Sequence, residues 1–363
     1  MDMLKTPLHD WHLHNGGRMV DFAGWEMPIQ YSSIVEEHET VRNHVGLFDI
    51  SHMGRIWFDG QDAEQFLNHL VTNDVSRMKP GQVRYALVCR EDGGILDDVL
   101  VYRLPHRFLL VVNGANREKI ARWIEQHQNG FQINVDDVTR ATAMIAVQGP
   151  RAQELLQPFL DSDLSQIKYY HAAEMTAFEA PAVVSRTGYT GEDGFELIVD
   201  QNVATPIWQE LLDAGRELGI RPCGLGCRDT LRLEAGMPLY GHEMDEQVDP
   251  LTAGLAFGVK LEKAGFIGKE ALNRLSDRTD LPHRVGLQLV GKRIARQGSQ
   301  LYAGEQLLGS VTSGTFSPTI QAALAMGYVP ASFAVPGTEI DVDIRGKREP
   351  ARIVALPFYR RKK

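Results

Sequence analysis

Three cysteines in 363 residues, no apolar run of bilayer-spanning length and no surplus of positive charge are the shortages that bound this sequence. Cys89, Cys223 and Cys227 form an odd, sparse set, which argues against a disulfide framework and for a reducing compartment. No stretch approaches the roughly 20 apolar residues of a transmembrane helix, so no membrane partner is expected. The start, Met1 to Trp11, has neither an apolar signal core nor an arginine-rich transit pattern, and a cytoplasmic protein is predicted. Against 47 Asp and Glu stand 38 Lys and Arg, a net charge of −9 and the wrong sign for a broad grip on phosphate backbones. No nucleic-acid partner is expected. The one dense basic run, Arg360-Arg361-Lys362-Lys363, reads as a solvated terminus.

What is present is ordinary for a folded chain: 43% hydrophobic and 23% charged residues, with length enough for two or three domains. No internal repeat or low-complexity linker marks boundaries, so these come from changes in hydrophobic period. Strands are predicted at Arg55 to Phe58, Val83 to Cys89, Ile95 to Leu104, Phe108 to Asn113 and Phe131 to Val135, with helices at Ala63 to Val71 and Arg117 to Gln126. Two helices among antiparallel strands suggest a ferredoxin-like α+β sandwich. Helices follow at Arg151 to Leu160 and Thr205 to Leu218, flanking strands between Ala173 and Asp200. After a helix at Gly268 to Leu275 only strands and turns remain: Val285 to Val290, Gly309 to Thr312, Leu324 to Val329, Ile340 to Ile344 and Ala351 to Val354. A small antiparallel barrel is the simplest reading of that end.

Several tempting motifs fail on spacing. His38-Glu39-Thr40-Val41-Arg42 begins like a zinc-protease helix, but Arg42 cannot ligate zinc. Gly224-Leu-Gly226-Cys-Arg-Asp229 sets an acid where a dinucleotide loop needs its third glycine. Cys223 and Cys227 lack further ligands and read as small buried side chains. No metal site is expected. Three other segments carry more chemistry. Gly93 to Tyr102 places Asp97 and Asp98 inside an apolar strand, where at most one of the pair faces any given pocket. Arg186 to Glu196 packs three glycines, Tyr189 and several acids into a turn that runs into a strand, with Glu196 in an apolar setting. Its acids do not alternate as a calcium loop requires, which leaves a hairpin corner as the rival reading. Arg228 to Gly236 reads as a helix carrying charge into an apolar neighbourhood, with Asp229 or Glu234 as an internal partner for Arg228.

Taken together these segments resemble the T-protein family, the aminomethyltransferases of the glycine cleavage system, from end to end. The similarity runs through Met19 to Pro28, Gly46-Leu-Phe-Asp-Ile-Ser-His-Met-Gly54, Thr72 to Val75, Gly93 to Tyr102, Ser185 to Glu196, Gly224 to Gly236, Val311 to Thr319 and Pro357-Phe-Tyr359. The resemblance implies a three-domain α+β ring with tetrahydrofolate as co-substrate in its central cavity. The domains would be residues 1–54 with 142–278 (folate-binding), 55–141 (ferredoxin-like) and 279–363 (barrel). The family's catalytic acid falls on Asp98, its pterin-contacting glutamate on Glu196, its folate-contacting arginine on Arg228 and a C-terminal tyrosine on Tyr359. Tyr85, Asn113, Tyr189 and Met53 match positions that line the same cavity. The implied reaction takes an aminomethyl group from the dihydrolipoyl arm of a lipoylated carrier, the H-protein, and delivers its carbon to tetrahydrofolate with loss of ammonia.

Two departures from the family pattern stand out, Gly114 where alanine or serine is commoner and Cys227 where alanine is usual. Neither removes a functional group. The related sarcosine- and dimethylglycine-oxidising enzymes need a dinucleotide-binding domain, and a tRNA-modification-linked branch carries a Lys-Gly-Cys-Tyr type motif; neither is recognised here. A non-catalytic folate-binding scaffold is the alternative from another class, and retention of Asp98 argues against it.

Overall fold

In the computed structural model, which describes residues 3–361, the chain opens with α1 (His9–His14), a hairpin of β1 (Arg18–Phe22) and β2 (Trp25–Gln30), α2 (Ile34–Asn43) and β3 (Val45–Asp49). Helix α2 starts at Ser33, whose hydroxyl accepts from the Glu36 amide at 3.2 Å because the first amides of a helix have no carbonyl partner. Its inward face carries Val41 and the fully buried His38. The zinc-like start at His38 is thus core: the imidazole bonds the Thr230 and Thr319 hydroxyls at 2.7 and 2.8 Å.

Next come β4 (Gly54–Asp59), α3 (Ala63–Leu70), β5 (Val83–Cys89), β6 (Ile95–Arg103), β7 (Phe108–Val112), α4 (Arg117–His127) and β8 (Asn134–Asp137). They form one antiparallel sheet in the order β5-β6-β7-β4-β8. Without β5 the unit has the βαββαβ order of a ferredoxin-like fold, and β5 extends its edge. Phe66, Leu67, Ile120 and Ile124 of the two helices pack on Ile56, Phe58, Ala86, Val88, Val99 and Val101 of the sheet. The last strand lies later than the predicted Phe131 to Val135. Phe131 sends its ring to Phe66, 5.3 Å away, and the strand itself consists of exposed residues. Phe131 and Ile133 belong to a loop packed on this core, which gives the segment the apolar content of a strand without its pairing.

A second sheet follows from β9 (Thr142–Gln148), α5 (Ala152–Leu156), β10 (Ala172–Ala177), β11 (Ala180–Ser185), β12 (Gly194–Asp200), α6 (Ala204–Ala214), β13 (Ile220–Pro222) and α7 (Leu225–Glu234). Its order is β10-β11-β12-β9-β3-β13, with only β13 parallel to its neighbour. Both predicted helices are shorter than expected. Helix α5 gives way to a 3-10 turn that contains Pro158, which lacks an amide hydrogen, and α6 stops before Gly215. Strands β3 and β9 escape sequence reading because they are buried almost throughout and show no alternation.

After α8 (Lys269–Ser276) come β14 (His283–Leu289), β15 (Gln300–Ala303), β16 (Gln306–Ser317), β17 (Ala322–Val329), β18 (Glu339–Ile344) and β19 (Lys347–Val354). They close into a six-stranded barrel in the order β14-β17-β16-β15-β18-β19, with β14 pairing both β17 and β19. The short β15 is the strand missing from the sequence reading. Helix α7 ties this barrel to the rest: Glu234 accepts from Arg42 at 2.8 Å and from the Thr319 amide at 3.1 Å, while Arg232 donates to Glu243 at 2.8 Å and Ser313 at 3.0 Å. Of the basic tail, Arg360 is exposed, but Arg361 folds back to pair with Asp193 at 3.1 Å. Lys362 and Lys363 lie outside the described residues. No helix among the described residues is long and apolar enough to cross a membrane.

Candidate active site

Strand pairing decides which of the two neighbouring acids faces inward. Asp98 lies opposite Leu87 in the β5–β6 register, and Tyr85 opposite Leu100, so Tyr85 is the diagonal neighbour of Asp98 on one face of the sheet. Its hydroxyl donates to Asp98 Oδ2 at 3.1 Å. Asp97 points to the opposite, helix-covered face and is wholly buried. Asn113, just past β7, reaches both acids: its Nδ2 donates to Asp98 Oδ1 at 2.7 Å and to Asp97 Oδ1 at 2.9 Å.

On the second sheet, Phe195, Leu197 and Val199 of β12 face the core beneath α5 and α6, so the alternate residues Glu196 and Ile198 turn to the other side. Glu196 is buried, and its Oε2 accepts from the Thr187 hydroxyl. Among the described residues its Oε1 has no hydrogen-bond partner. The glycines of the preceding turn serve the protein itself. A Cβ at Gly188 or Gly194 would collide with the side chain of Gln148, and Gly191, at φ +81°, fits beneath Ala235. Gln148 in turn donates to the Thr187 carbonyl at 3.1 Å, which holds the turn so that Tyr189 faces inward.

Helix α7 delivers Arg228. Here the internal partners expected from the sequence do not apply. Asp229 pairs with Arg232 at 2.8 Å and Glu234 with Arg42, leaving the Arg228 guanidinium with no hydrogen-bond acceptor among the described residues. It rests 4.8 Å from the centre of the Tyr189 ring. The two glycines once suggestive of a dinucleotide loop let α7 approach closely, since a Cβ at Gly224 would strike the Ile29 carbonyl and one at Gly226 the Ile34 side chain.

These side chains meet at one cavity of about 370 Å³, lined by Asp98, Glu196, Arg228, Tyr85, Asn113, Tyr189 and Met53 among others. Tyr359 does not line it. Its ring lies 3.9 Å from the Arg42 guanidinium, and burial with a hydrogen bond to Glu192 pushes its hydroxyl up to about 12. Residues missed by sequence reading complete the wall, notably His52, Tyr170, Phe257 and Arg284. They come from loops and a barrel strand that no local pattern connects. Phe257 stacks on Tyr85 with ring centres 5.3 Å apart although it is 62% exposed. Gly114 finds its reason here too, because a Cβ would lie 2.6 Å from the His52 carbonyl oxygen.

The cavity's electrostatics follow from the burial of its charged groups. Burial raises both Asp98 and Asp97 above the usual carboxylate range; the Asp98 charge adds to the rise at Asp97, while hydrogen bonds from Asn113 oppose it at both. Burial likewise raises Glu196, against the pull of the Thr187 hydroxyl and the Arg228 charge. Arg228 is lowered by the same desolvation, opposed chiefly by Glu196. His52 is pushed down to about 3 by burial and by the charge of Arg228, so it is a neutral imidazole. Among the described residues no cluster of His, Cys, Asp or Glu is arranged to hold a metal ion.

Comparison with known proteins agrees along the whole length. Residues 8–263 match the family model of the GCVT N-terminal domain, and residues 283–360 that of the glycine cleavage T-protein C-terminal barrel domain. The chain is 47% identical to the aminomethyltransferase of Streptomyces coelicolor, over 100% of this chain and 99% of that protein. It is 49% identical to the aminomethyltransferase of Rubrobacter xylanophilus, over 99% and 95% respectively. The crystal structure of glycine cleavage system aminomethyltransferase T from Bartonella henselae is similar at a TM-score of 0.92 and 35% identity, covering 98% of each chain.

Proposed function

The chain belongs to the glycine cleavage T-protein family of aminomethyltransferases, and from that premise we propose what each cavity residue does. The enzyme is a tetrahydrofolate-dependent aminomethyltransferase: it passes the methylene carbon of an S-aminomethyldihydrolipoyl carrier to tetrahydrofolate, yielding 5,10-methylenetetrahydrofolate, ammonia and the dihydrolipoyl carrier. Bound tetrahydrofolate supplies a nucleophilic nitrogen, N5, and a second nitrogen, N10, that closes the bridge.

The residues present fit that ligand. Glu196 keeps one carboxylate oxygen without a protein donor, which suits the adjacent N–H donors of a pterin edge in a charge-assisted pair. Arg228 offers a rigid fork of donors to the cofactor's carbonyl or carboxylate groups; its lack of a protein acceptor means that this costs no existing ion pair. Asp98 orients N10 and accepts its proton, a task matched to a carboxylate whose proton affinity is raised by burial. Tyr85 and Asn113 hold that carboxylate by their hydrogen bonds, and Met53 and Tyr189 supply walls that exclude water. Tyr359 is assigned no contact with folate. The single observation that carries this reading is the convergence, in one cavity, of Asp98 with a guanidinium and a carboxylate oxygen that have no hydrogen-bond partner among the described residues.

The carrier partner is the lipoylated H-protein, as family membership implies, and the three unpaired cysteines support a reducing, cytoplasmic setting. We divide the chain into residues 1–54 with 142–278, 55–141 and 279–363, in keeping with its two sheets and barrel. The decisive test is ammonia release from aminomethylated carrier. Asp98→Asn should slow it by about 10²- to 10⁴-fold with folate binding retained. Turnover at the wild-type rate would remove Asp98 from its role and leave a folate-binding scaffold as the better account.

A further inference from the structure

Asp97 is a buried acid without a counter-ion among the described residues. It is 0% exposed, and among the described residues no Lys, Arg or His lies within ion-pair distance of it. Buried charges are ordinarily paired, and a neutral side chain would fill the same space at lower cost. What surrounds Asp97 instead is a set of amides. The Asn113 backbone N–H donates to Oδ2 at 2.9 Å, while Asn113 Nδ2 at 2.9 Å and Asn116 Nδ2 at 2.5 Å converge on Oδ1.

The Asn113 amide therefore stands between two acids. Its Nδ2 serves Asp97 Oδ1 on one side and Asp98 Oδ1 and the Asp98 carbonyl on the other, at 2.7 and 3.1 Å for the latter pair. Flipping the amide would set its oxygen against two carboxylate oxygens, so the chemistry of the neighbours determines its orientation. Its Oδ1 is left with no protein donor among the described residues, on a side chain that lines the cavity.

We propose that Asp97 is a positioning residue for aminomethyl transfer: by locking the Asn113 amide, it fixes the Asp98 carboxylate and leaves Asn113 Oδ1 as an acceptor for an N–H of the reacting amine. The proposal rests on the reading in which Asp98 accepts the proton. Asp97 touches neither substrate nor reacting atoms, since it faces the helix side of the sheet. An Asn in its place would present an amide group to donors that now meet only oxygen, and Asn113 would be free to rotate. Misplacing a catalytic group by a fraction of its length costs rate and not ligand affinity.

The test is a double-mutant cycle on single-turnover ammonia release, with folate dissociation constants and circular dichroism measured on each variant. Asp97→Asn should lower the rate constant by about 10- to 100-fold, with folate affinity within about twofold of wild type. Asn113→Ala should lower the rate constant at least as much, because it also removes the Oδ1 acceptor. The double variant should be no slower than the slower single, because both changes break one device. Losses that multiply in the double variant, or an Asp97→Asn rate equal to wild type, would overturn the proposal. Should Asp97→Asn not fold, Asp97→Ser, smaller and able to accept through its hydroxyl, completes the same cycle with the same criteria. An active Asp98→Asn enzyme would sink the underlying reading, whereas an inactive one beside an unaffected Asp97→Asn would sink this inference alone.

Discussion

At the scale of single residues, the cavity separates two carboxylates by what touches them. Asp98 is held by two neutral donors at a partly open wall, while Glu196 is buried near an arginine charge. Burial raises the proton affinity of both, but Asp98 has no counter-charge among the described residues and is free to exchange a proton, while Glu196, with the Arg228 charge opposing the rise, is suited to accepting hydrogen bonds. Replacing Glu196 by alanine should therefore weaken folate chiefly, by about 1.5–3 kcal/mol for a lost charge-assisted bond, with the rate at saturating folate much less affected. An unchanged dissociation constant in calorimetry would refute that assignment. Asp98 also sets a pH dependence. It must be ionised to accept a proton, and burial raises its proton affinity, so turnover should fall with acidification well above the usual carboxylate range. A folded-state affinity above the unfolded one means stability that is complete at low pH and is lost as pH rises through the raised value. Asp98→Asn should then unfold at a higher temperature than wild type in mildly alkaline buffer and at a similar one in acid. A variant that gains no stability there would contradict the assigned shift.

At the scale of elements, α7 shows why a motif can be legible and its meaning hidden. The pair Gly224 and Gly226 is plain in the sequence, and its failure as a dinucleotide loop was readable from Asp229. The actual reason for the glycines is close approach to segments far apart in sequence, α7 against the Ile29 backbone and the Ile34 side chain. Gly224→Ala should push α7 away from β2, costing about 1–3 kcal/mol as overpacking does and raising the folate dissociation constant because Arg228 moves with the helix. Chemical denaturation and folate titration of the variant check both, and a crystal structure with α7 unmoved would exclude the mechanism. The same contrast holds among the strands. The barrel strands β18 and β19 alternate between buried and more open residues, whereas β3 and β9, buried on both faces, carry no period to read.

At the scale of the whole molecule, one buried network joins helix α2, helix α7 and the barrel. Burial alone would raise Glu234, but His38, Ser317 and Arg42 outweigh it and hold the carboxyl at about 2. Because the folded value lies below the unfolded one, the stabilisation is full above the usual carboxylate range and is lost as pH falls through about 2. Glu234→Gln leaves Arg42 and His38 buried beside a neutral group and should cost about 3–5 kcal/mol, read as a lower urea midpoint. A midpoint equal to wild type would mean that Glu234 does not hold the barrel and that Arg232, through Ser313 and Glu243, carries the polar contact. The sequence by itself determined the α+β class, the barrel, the family and the identity of the acids and arginine that meet in the cavity, because period and residue type are local properties. Only the tertiary structure decided that Asp98 and not Asp97 faces the ligand space, that Arg228 has no ion-pair partner among the described residues, and that His52, Phe257 and Arg284 share the wall. Those outcomes depend on strand register and on which charges reach each other across the fold, and neither is written in any short stretch of chain.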